Sequence, residues 1–382
     1  MHILQAIHLF MTIGVLKEPG KETRASLLPE HIVLLKKQFV NVMVENNAGV
    51  NAFAADAQYE NAGATVGSRS EVLQTADIIL SISPLSNEDI AVCKAKILFG
   101  FFQPLFNAQQ TKLLAEKNFT IFSIDMLPRT TRAQSMDVLS SQANIAGYKA
   151  VLLAANLYPK YFPMFMTAAG SIPPAKMLIL GAGVAGLQAI ATAKRLGAVV
   201  EVFDTRPQVK EEVMSLGAKF VEVEGAADAA SAGGYAVEQS AEFMSRQKAR
   251  IAESVVKSDI IITTAAIPGK TAPVLITEDM ISGMKNGSVI IDLAASTGGN
   301  TAYTKNDETV VVNGVSIVGN SALAAAMPSD ASKLYGKNIL NFLQLIINKE
   351  GAINLNFEDD LVKGTCVAHG GVVTNERVAA LL

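Results

Sequence analysis

The sequence predicts an α/β chain of two domains, each built on a parallel sheet flanked by helices. Three observations predict it. The 382 residues, half of them hydrophobic, exceed what one ordinary core organises and suffice for two. Short β-type runs alternate with runs of helical period over most of the length. The alternation comes in two series, separated by a stretch with few helix breakers.

In the first series, β-type runs at 12–15, 40–45, 78–81 and 120–123 alternate with helix-type runs at 29–38, 70–75 and 108–117. Residues 132–156 then read as a long linker helix or helix pair joining the domains. The second series places strands at 177–180, 199–203, 219–223, 260–264 and 288–293, with helices at 184–196 and 209–216. Residues 328–348 form a further helix, since Leu334, Ile339, Leu340, Phe342, Leu343 and Ile346 recur at roughly helical spacing, and a strand pair follows within 362–373. Assigning this tail back to the first domain gives a discontinuous domain of residues 1–138 and 328–382 around a second of 139–327. Residues 224–240, rich in Ala, Gly and Ser, interrupt the second series; they read either as a mobile functional loop or as a surface loop pinned by Tyr235.

Composition excludes several classes. With 32 basic against 35 acidic residues and a net charge of −3, the chain has no basic footprint for nucleic acid. Two distant cysteines, Cys93 and Cys366, support neither a disulfide framework nor a metal cluster, and fit a reducing compartment. Residues 1–10 lack the cationic start and small-residue cleavage pattern of a secretory signal. The most apolar region, 148–193, is interrupted by Pro159, Pro163, Gly170, Pro173, Pro174 and Gly181 before a bilayer-spanning length accumulates, so no membrane span is predicted.

The chemistry starts at Gly181-Ala182-Gly183-Val184-Ala185-Gly186. This G-x-G-x-x-G follows an apolar strand and opens a helix, the context a Rossmann-like dinucleotide turn requires. Gly181 permits the tight turn, Gly183 lets backbone approach a pyrophosphate, and Gly186 allows close packing of helix on strand, while Val184 starts the helix whose free N–H groups attract phosphate. Asp204, at the end of the next strand, sits where a carboxylate accepts hydrogen bonds from the adenosine ribose and repels a 2′-phosphate, which favours NAD(H) over NADP(H). Arg206 opens an alternative, because it can pair with a 2′-phosphate, stack on adenine or face solvent.

The string Pro128-Arg129-Thr130-Thr131-Arg132-Ala133-Gln134-Ser135-Met136-Asp137, with Leu139-Ser140-Ser141-Gln142 and Asn144-Ile145-Ala146-Gly147-Tyr148, resembles the NAD(H)-binding component of proton-translocating transhydrogenase, of the alanine dehydrogenase/transhydrogenase family. Asp204-Thr205-Arg206-Pro207, Gly233-Gly234-Tyr235-Ala236, Ile267-Pro268-Gly269-Lys270 and residues 287–294 are similar too, so the likeness runs from about Met11 to the C-terminus. The resemblance implies two Rossmann-like domains with NAD(H) on the second and a homodimer. It also implies partner components, one holding NADP(H) and one spanning the membrane, which place the chain peripherally on the cytoplasmic face of the inner membrane. The activity implied is that of an NAD(P)+ transhydrogenase of the Si-specific/Re-specific type, active only with those partners. Carried over, Arg129, Gln134, Asp137 and Ser140 reach the nicotinamide end and its ribose, with Thr130, Thr131, Arg132, Ser135 and Met136 in the same cofactor-binding string. Thr205 accompanies Asp204 and Arg206, and Gly234 and Tyr235 sit on a loop that closes over the nucleotide. Gln247 and Ala266 fall at further contact positions, the second usually a leucine. Without the resemblance, Arg129 and Asp137 read as exposed linker charges, Gln134 as a helix cap, and Ser140 and Ser141 as helix residues bonding back to a carbonyl.

Lys17-Glu18 followed by Arg24 also resembles alanine dehydrogenase, a complete NAD enzyme. Oxidising an amino acid needs a proton-exchanging group and a cation for the substrate acid. That family places a lysine where this chain has Ser81, a histidine within the region of Phe99-Gly100-Phe101-Phe102, and an acid where Ser296 stands. His2, His8, His31 and His369 lie in terminal segments or an outer helix, with His31 expected as a solvated helix-start residue. Hydride transfer between two nicotinamides needs alignment to roughly 3 to 3.5 Å and no proton exchange, so these absences fit the transhydrogenase reading. A non-catalytic NAD-binding protein is the third reading.

Overall fold

The computed structural model describes residues 11–223 and 240–382. Its strands are β1 (Thr12–Val15), β2 (Asn41–Glu45), β3 (Thr65–Gly67), β4 (Ile78–Ser81), β5 (Ile97–Gly100), β6 (Thr120–Ser123), β7 (Phe165–Thr167), β8 (Gly170–Ile172), β9 (Lys176–Leu180), β10 (Val199–Phe203), β11 (Lys219–Phe220), β12 (Ile260–Thr263), β13 (Val289–Asp292), β14 (Glu308–Val312), β15 (Val315–Gly319), β16 (Cys366–His369) and β17 (Val372–Val373). The chain divides into two compact units, Met1–Gln142 with Met327–Leu382, and Ala143–Ala326.

In the first unit the sheet order is β17-β16-β6-β5-β4-β1-β2-β3. The pairs among β1 to β6 are parallel, the doubly wound pattern. β4, β5 and β6 are buried along their whole length, which explains why they read as unbroken apolar runs. The helix Pro328–Ile346 covers this sheet with Ile339, Phe342, Leu343 and Ile346, and the Phe342 ring lies 5.1 Å from Phe99 and 5.7 Å from Phe122.

The second unit has the order β11-β10-β9-β12-β13-β15-β14, parallel from β11 to β15, with the helix Val184–Arg195 following β9. That helix buries Gly186, Ala189, Ile190 and Ala193, small or branched residues at helical spacing that let it lie close to the strands. β7 and β8 form a separate antiparallel pair.

The predicted α/β class with two Rossmann-like sheets holds, and the structure adds antiparallel edges: β16 joins β6, and β14 joins β15, in that sense. The predicted run 132–156 splits at Asp137 into a 3-10 turn, Thr131–Met136, and the helix Val138–Leu157, because the Asp137 carboxylate caps the helix. The predicted strand 219–223 shortens to Lys219–Phe220, and a helix, Asp360–Thr365, precedes the last strand pair. His31 is not solvated: it is 3% exposed, and its Nδ1 accepts the backbone N–H of Leu28, 2.8 Å away, closing the start of helix Pro29–Lys36. Among the described residues no helix is long and apolar enough to cross a membrane.

Candidate functional site

In the second unit, the three motif glycines differ in what surrounds them. Gly181 ends β9 with φ +107°, where an L side chain is strained, and a Cβ there would stand 2.4 Å from Thr264 Oγ1. Gly186 lies against the turn, with a Cβ position 1.9 Å from the Gly181 carbonyl oxygen. A Cβ on Gly183 would meet none of the described residues within 4 Å. The described residues therefore supply a reason for two glycines and leave the third without one. Gly183 is also the N-cap of helix Val184–Arg195; no side chain caps it and no acidic residue occupies the first turn. A helix start of this kind keeps N–H groups and positive dipole available to an anion.

The long helix Val138–Leu157 fixes this helix start. A Cβ on Gly147 would lie 2.1 Å from the Ala185 carbonyl oxygen, and Asn144 Nδ2 donates to Gln188 Oε1 at 3.3 Å. Asp204 closes the other side: Oδ2 accepts from Ala182 N at 2.7 Å, tying β10 to the glycine turn. Arg206 folds back onto the same carboxylate, with its backbone N and Nε at 2.8 and 2.9 Å from Oδ1, and Nη2 at 2.7 Å from Oδ2. This pairing raises the guanidinium pKa above its ordinary value. The structure thus gives Arg206 a partner within the protein, and Thr205 is half-buried beside it. Thr264, just past β12, donates to the Gly181 carbonyl oxygen at 3.2 Å, which brings the loop carrying exposed Ala266 next to the turn. Gln247 is half-buried on helix Ala241–Lys257, whose Ile251 and Val255 pack into the core with Leu180 and Phe203. Gly234 and Tyr235 lie outside the described residues.

In the first unit, the string Arg129 to Ser140 is built as a rigid bend. Ala133 and Met136 are buried in the hydrophobic core, so Met136 offers a ligand its backbone alone. Asn338 and Asn341 on helix Pro328–Ile346 both donate to the Ser135 carbonyl oxygen at 2.8 Å. Arg132 pairs with Asp359 and Asp360. Asp137 Oδ1 accepts from Ser140 N at 2.9 Å and Oδ2 from Ser140 Oγ at 2.6 Å, an N-cap that gives both residues a structural task. Ser141 Oγ reaches the Val138 carbonyl oxygen. Arg129, Thr130, Thr131, Gln134 and Ser135 stand exposed on this bend.

The positions at which the resemblance to alanine dehydrogenase implies an acid and a base hold other residues. Ser81 ends β4 with a buried hydroxyl, Phe99 and Phe102 are buried, and Ser296 is exposed on a 3-10 turn after β13. Glu18 is 6% exposed, and burial pushes its carboxyl up to about 7. Both its oxygens accept backbone N–H groups, Ile82 at 2.6 Å and Ser83 at 2.8 Å, so it ties the end of β1 to that of β4.

Sequence reasoning missed the support behind the Ala266 loop, namely Asn300, Asp292 and Thr304, all hydrogen-bonded to one another or to that loop. The signal available was a polar Asn300 directly after Gly298-Gly299, in a region otherwise read only as a strand end.

Family models for "Alanine dehydrogenase/PNT, N-terminal domain" and "Alanine dehydrogenase/PNT, C-terminal domain" match residues 14–146 and 150–376. The chain belongs to the alanine dehydrogenase/PNT family. Within the family it is 44% identical over 377 residues to an NAD(P) transhydrogenase subunit alpha polypeptide of Rhodospirillum rubrum, covering 96% of this chain and 98% of that protein. A solved transhydrogenase from Sinorhizobium meliloti superposes with a TM-score of 0.86 at 44% identity, covering 95% of this chain and 99% of the other. Alanine dehydrogenase of Staphylococcus epidermidis is more distant, 27% identical over 381 residues, 97% of this chain and 96% of that protein.

Proposed function

We propose that this chain is the NAD(H)-binding component of a proton-translocating transhydrogenase. The observation that carries the reading is the near full-length likeness to the R. rubrum transhydrogenase subunit, on a chain whose glycine turn leaves Gly183 clear of every described residue at an uncapped helix start. Hydride passes from C4 of NADH to C4 of NADP+ on a separate NADP(H)-binding component, giving NAD+ and NADPH, and a membrane component couples the exchange to proton movement. No proton is exchanged with a substrate, which agrees with Ser81, Phe99, Phe102 and Ser296 at the positions where alanine dehydrogenase chemistry would need ionisable groups.

The residues divide the work. The helix start at Val184 receives the pyrophosphate, and Asp204 accepts from the adenosine ribose, displacing part of its hold on Arg206. Arg129, Gln134, Asp137 and Ser140 orient the nicotinamide and its ribose, with Thr130, Thr131, Arg132, Ser135 and the Met136 backbone lining the approach. Gly234 and Tyr235 close over the nucleotide, and Gln247 and Ala266 add contacts. The chain works as a homodimer beside its two partner components, on the cytoplasmic face of the inner membrane.

The test mixes the chain with a matching NADP(H)-binding component and follows reduction of an NADP+ analogue by NADH. Transfer that requires both proteins is expected; no transfer despite demonstrated NADH binding refutes the proposal. Oxidation of alanine with NAD+ by the chain alone would establish the dehydrogenase reading instead.

A further inference from the structure

We infer that Asn300 is a positioning residue for the nicotinamide half of the nucleotide, acting through the loop that follows β12. Asn300 is fully buried, and its carboxamide is spent entirely on one stretch of backbone. Oδ1 accepts from Ala265 N at 3.1 Å, while Nδ2 donates to the carbonyl oxygens of Ala265 at 2.8 Å and Pro273 at 2.9 Å. The Asn300 carbonyl oxygen accepts from Leu275 N and Ile276 N at 2.8 and 3.0 Å. One residue thus holds both ends of the loop, pairing with Ala265 as a neighbouring strand would.

A second layer holds Asn300 in turn. Asp292, also fully buried, accepts the Asn300 backbone N–H at 2.6 Å and the Thr304 hydroxyl at 2.6 Å on Oδ2, and Ala294 N at 2.9 Å on Oδ1. Buried polar groups satisfied to this degree lock a single arrangement, whereas removing one member leaves its partners unpaired.

Sheet order says which half of the ligand the loop serves. β9 carries the pyrophosphate turn, β10 with Asp204 lies on one side of it, and β12 lies on the other. A dinucleotide seated on the turn with its adenosine ribose at Asp204 therefore extends its other half toward the end of β12, and Thr264 already bridges that end to Gly181. The inference rests on the proposed dinucleotide site and adds a residue that does not touch the ligand.

The experiment compares the affinities of NADH and AMP for the parent chain, Asn300→Ala and Thr304→Val, with thermal melting as the check on folding. AMP reports the adenosine half alone. Asn300→Ala is expected to raise the Kd for NADH about tenfold or more while the Kd for AMP stays within about twofold; Thr304→Val is expected to do the same more weakly. If Asn300→Ala does not fold, the NADH-to-AMP ratio in Thr304→Val decides. Equal losses for both ligands, or no loss for either, overturn the inference while leaving the dinucleotide site standing. A parent chain that binds neither ligand overturns the dinucleotide reading itself.

Discussion

Gly183 and Gly186 stand three residues apart in one motif yet fail for different reasons when given a side chain. A methyl group on Gly186 would enter the Gly181 carbonyl, 1.9 Å away, so Gly186→Ala should lower stability by about 1–3 kcal/mol, read from urea midpoints. Gly183→Ala meets no atom of the described residues and should leave the melting temperature within a degree or two, while NADH binding weakens at least about tenfold; unchanged affinity would mean that no ligand approaches there. Asp204→Ala should weaken NADH binding by about 1–3 kcal/mol, a figure that includes releasing Arg206, and an unchanged dissociation constant in titration would contradict the ribose contact. These residues are legible in the sequence because glycine spacing and a carboxylate one strand later are local patterns. Asn300 is legible only as a polar residue after Gly298-Gly299; its role is not, since its partners Ala265 and Pro273 lie 35 and 27 residues away. Asp137 shows a middle case: the string around it is readable, but its capping of Ser140 requires knowing where the helix starts.

At the scale of elements, helix Pro29–Lys36 and helix Pro328–Ile346 meet at His31 and Gly336, where a Cβ on Gly336 would fall 2.4 Å from the imidazole. The sequence shows both helices but not their contact, so His31 reads as solvated although its burial lowers its pKa to about 4. The consequence for pH has a definite sign. A neutral histidine favoured by the fold contributes stability above pH 6.5 that is lost as the pH falls toward 4, up to about 3 kcal/mol. Glu18 acts oppositely: its protonated form is favoured by the fold, so its contribution is present below pH 4.5 and lost as the pH rises through 7, by a similar amount. The two slopes offset one another between about pH 4.5 and 6.5. His31→Gln keeps an acceptor for Leu28 N and removes one slope, so its stability should fall as pH rises across that window while the parent's changes less. Urea denaturation at half-unit pH steps measures this, and parallel profiles for parent and variant would show that His31 does not titrate between these limits.

For the molecule as a whole, the alternation of strands and helices announces two doubly wound sheets, because parallel strands buried on both faces must be apolar throughout and must be separated by crossovers. Long-range pairing leaves no such trace. The return of β16 to the edge of β6, some 245 residues after it in sequence, joins two short strands whose composition suits many neighbours. The proposed nucleotide contacts include the string from Arg129 to Ser140 as well as the residues from Gly181 to Arg206, and the two groups can be tested side by side. NADH should slow backbone amide exchange both at the start of helix Val184–Arg195 and across the Thr131–Met136 turn. AMP, lacking the nicotinamide half, should protect the helix start and leave the turn unchanged. At a ligand concentration about 100 times Kd, the stabilisation available is about 2.7 kcal/mol, enough to slow exchange by about a hundredfold wherever opening requires release of the ligand. Protection of the helix start without any at the turn under NADH would remove Arg129, Gln134, Asp137 and Ser140 from the nucleotide site and return them to capping and packing roles within the bend.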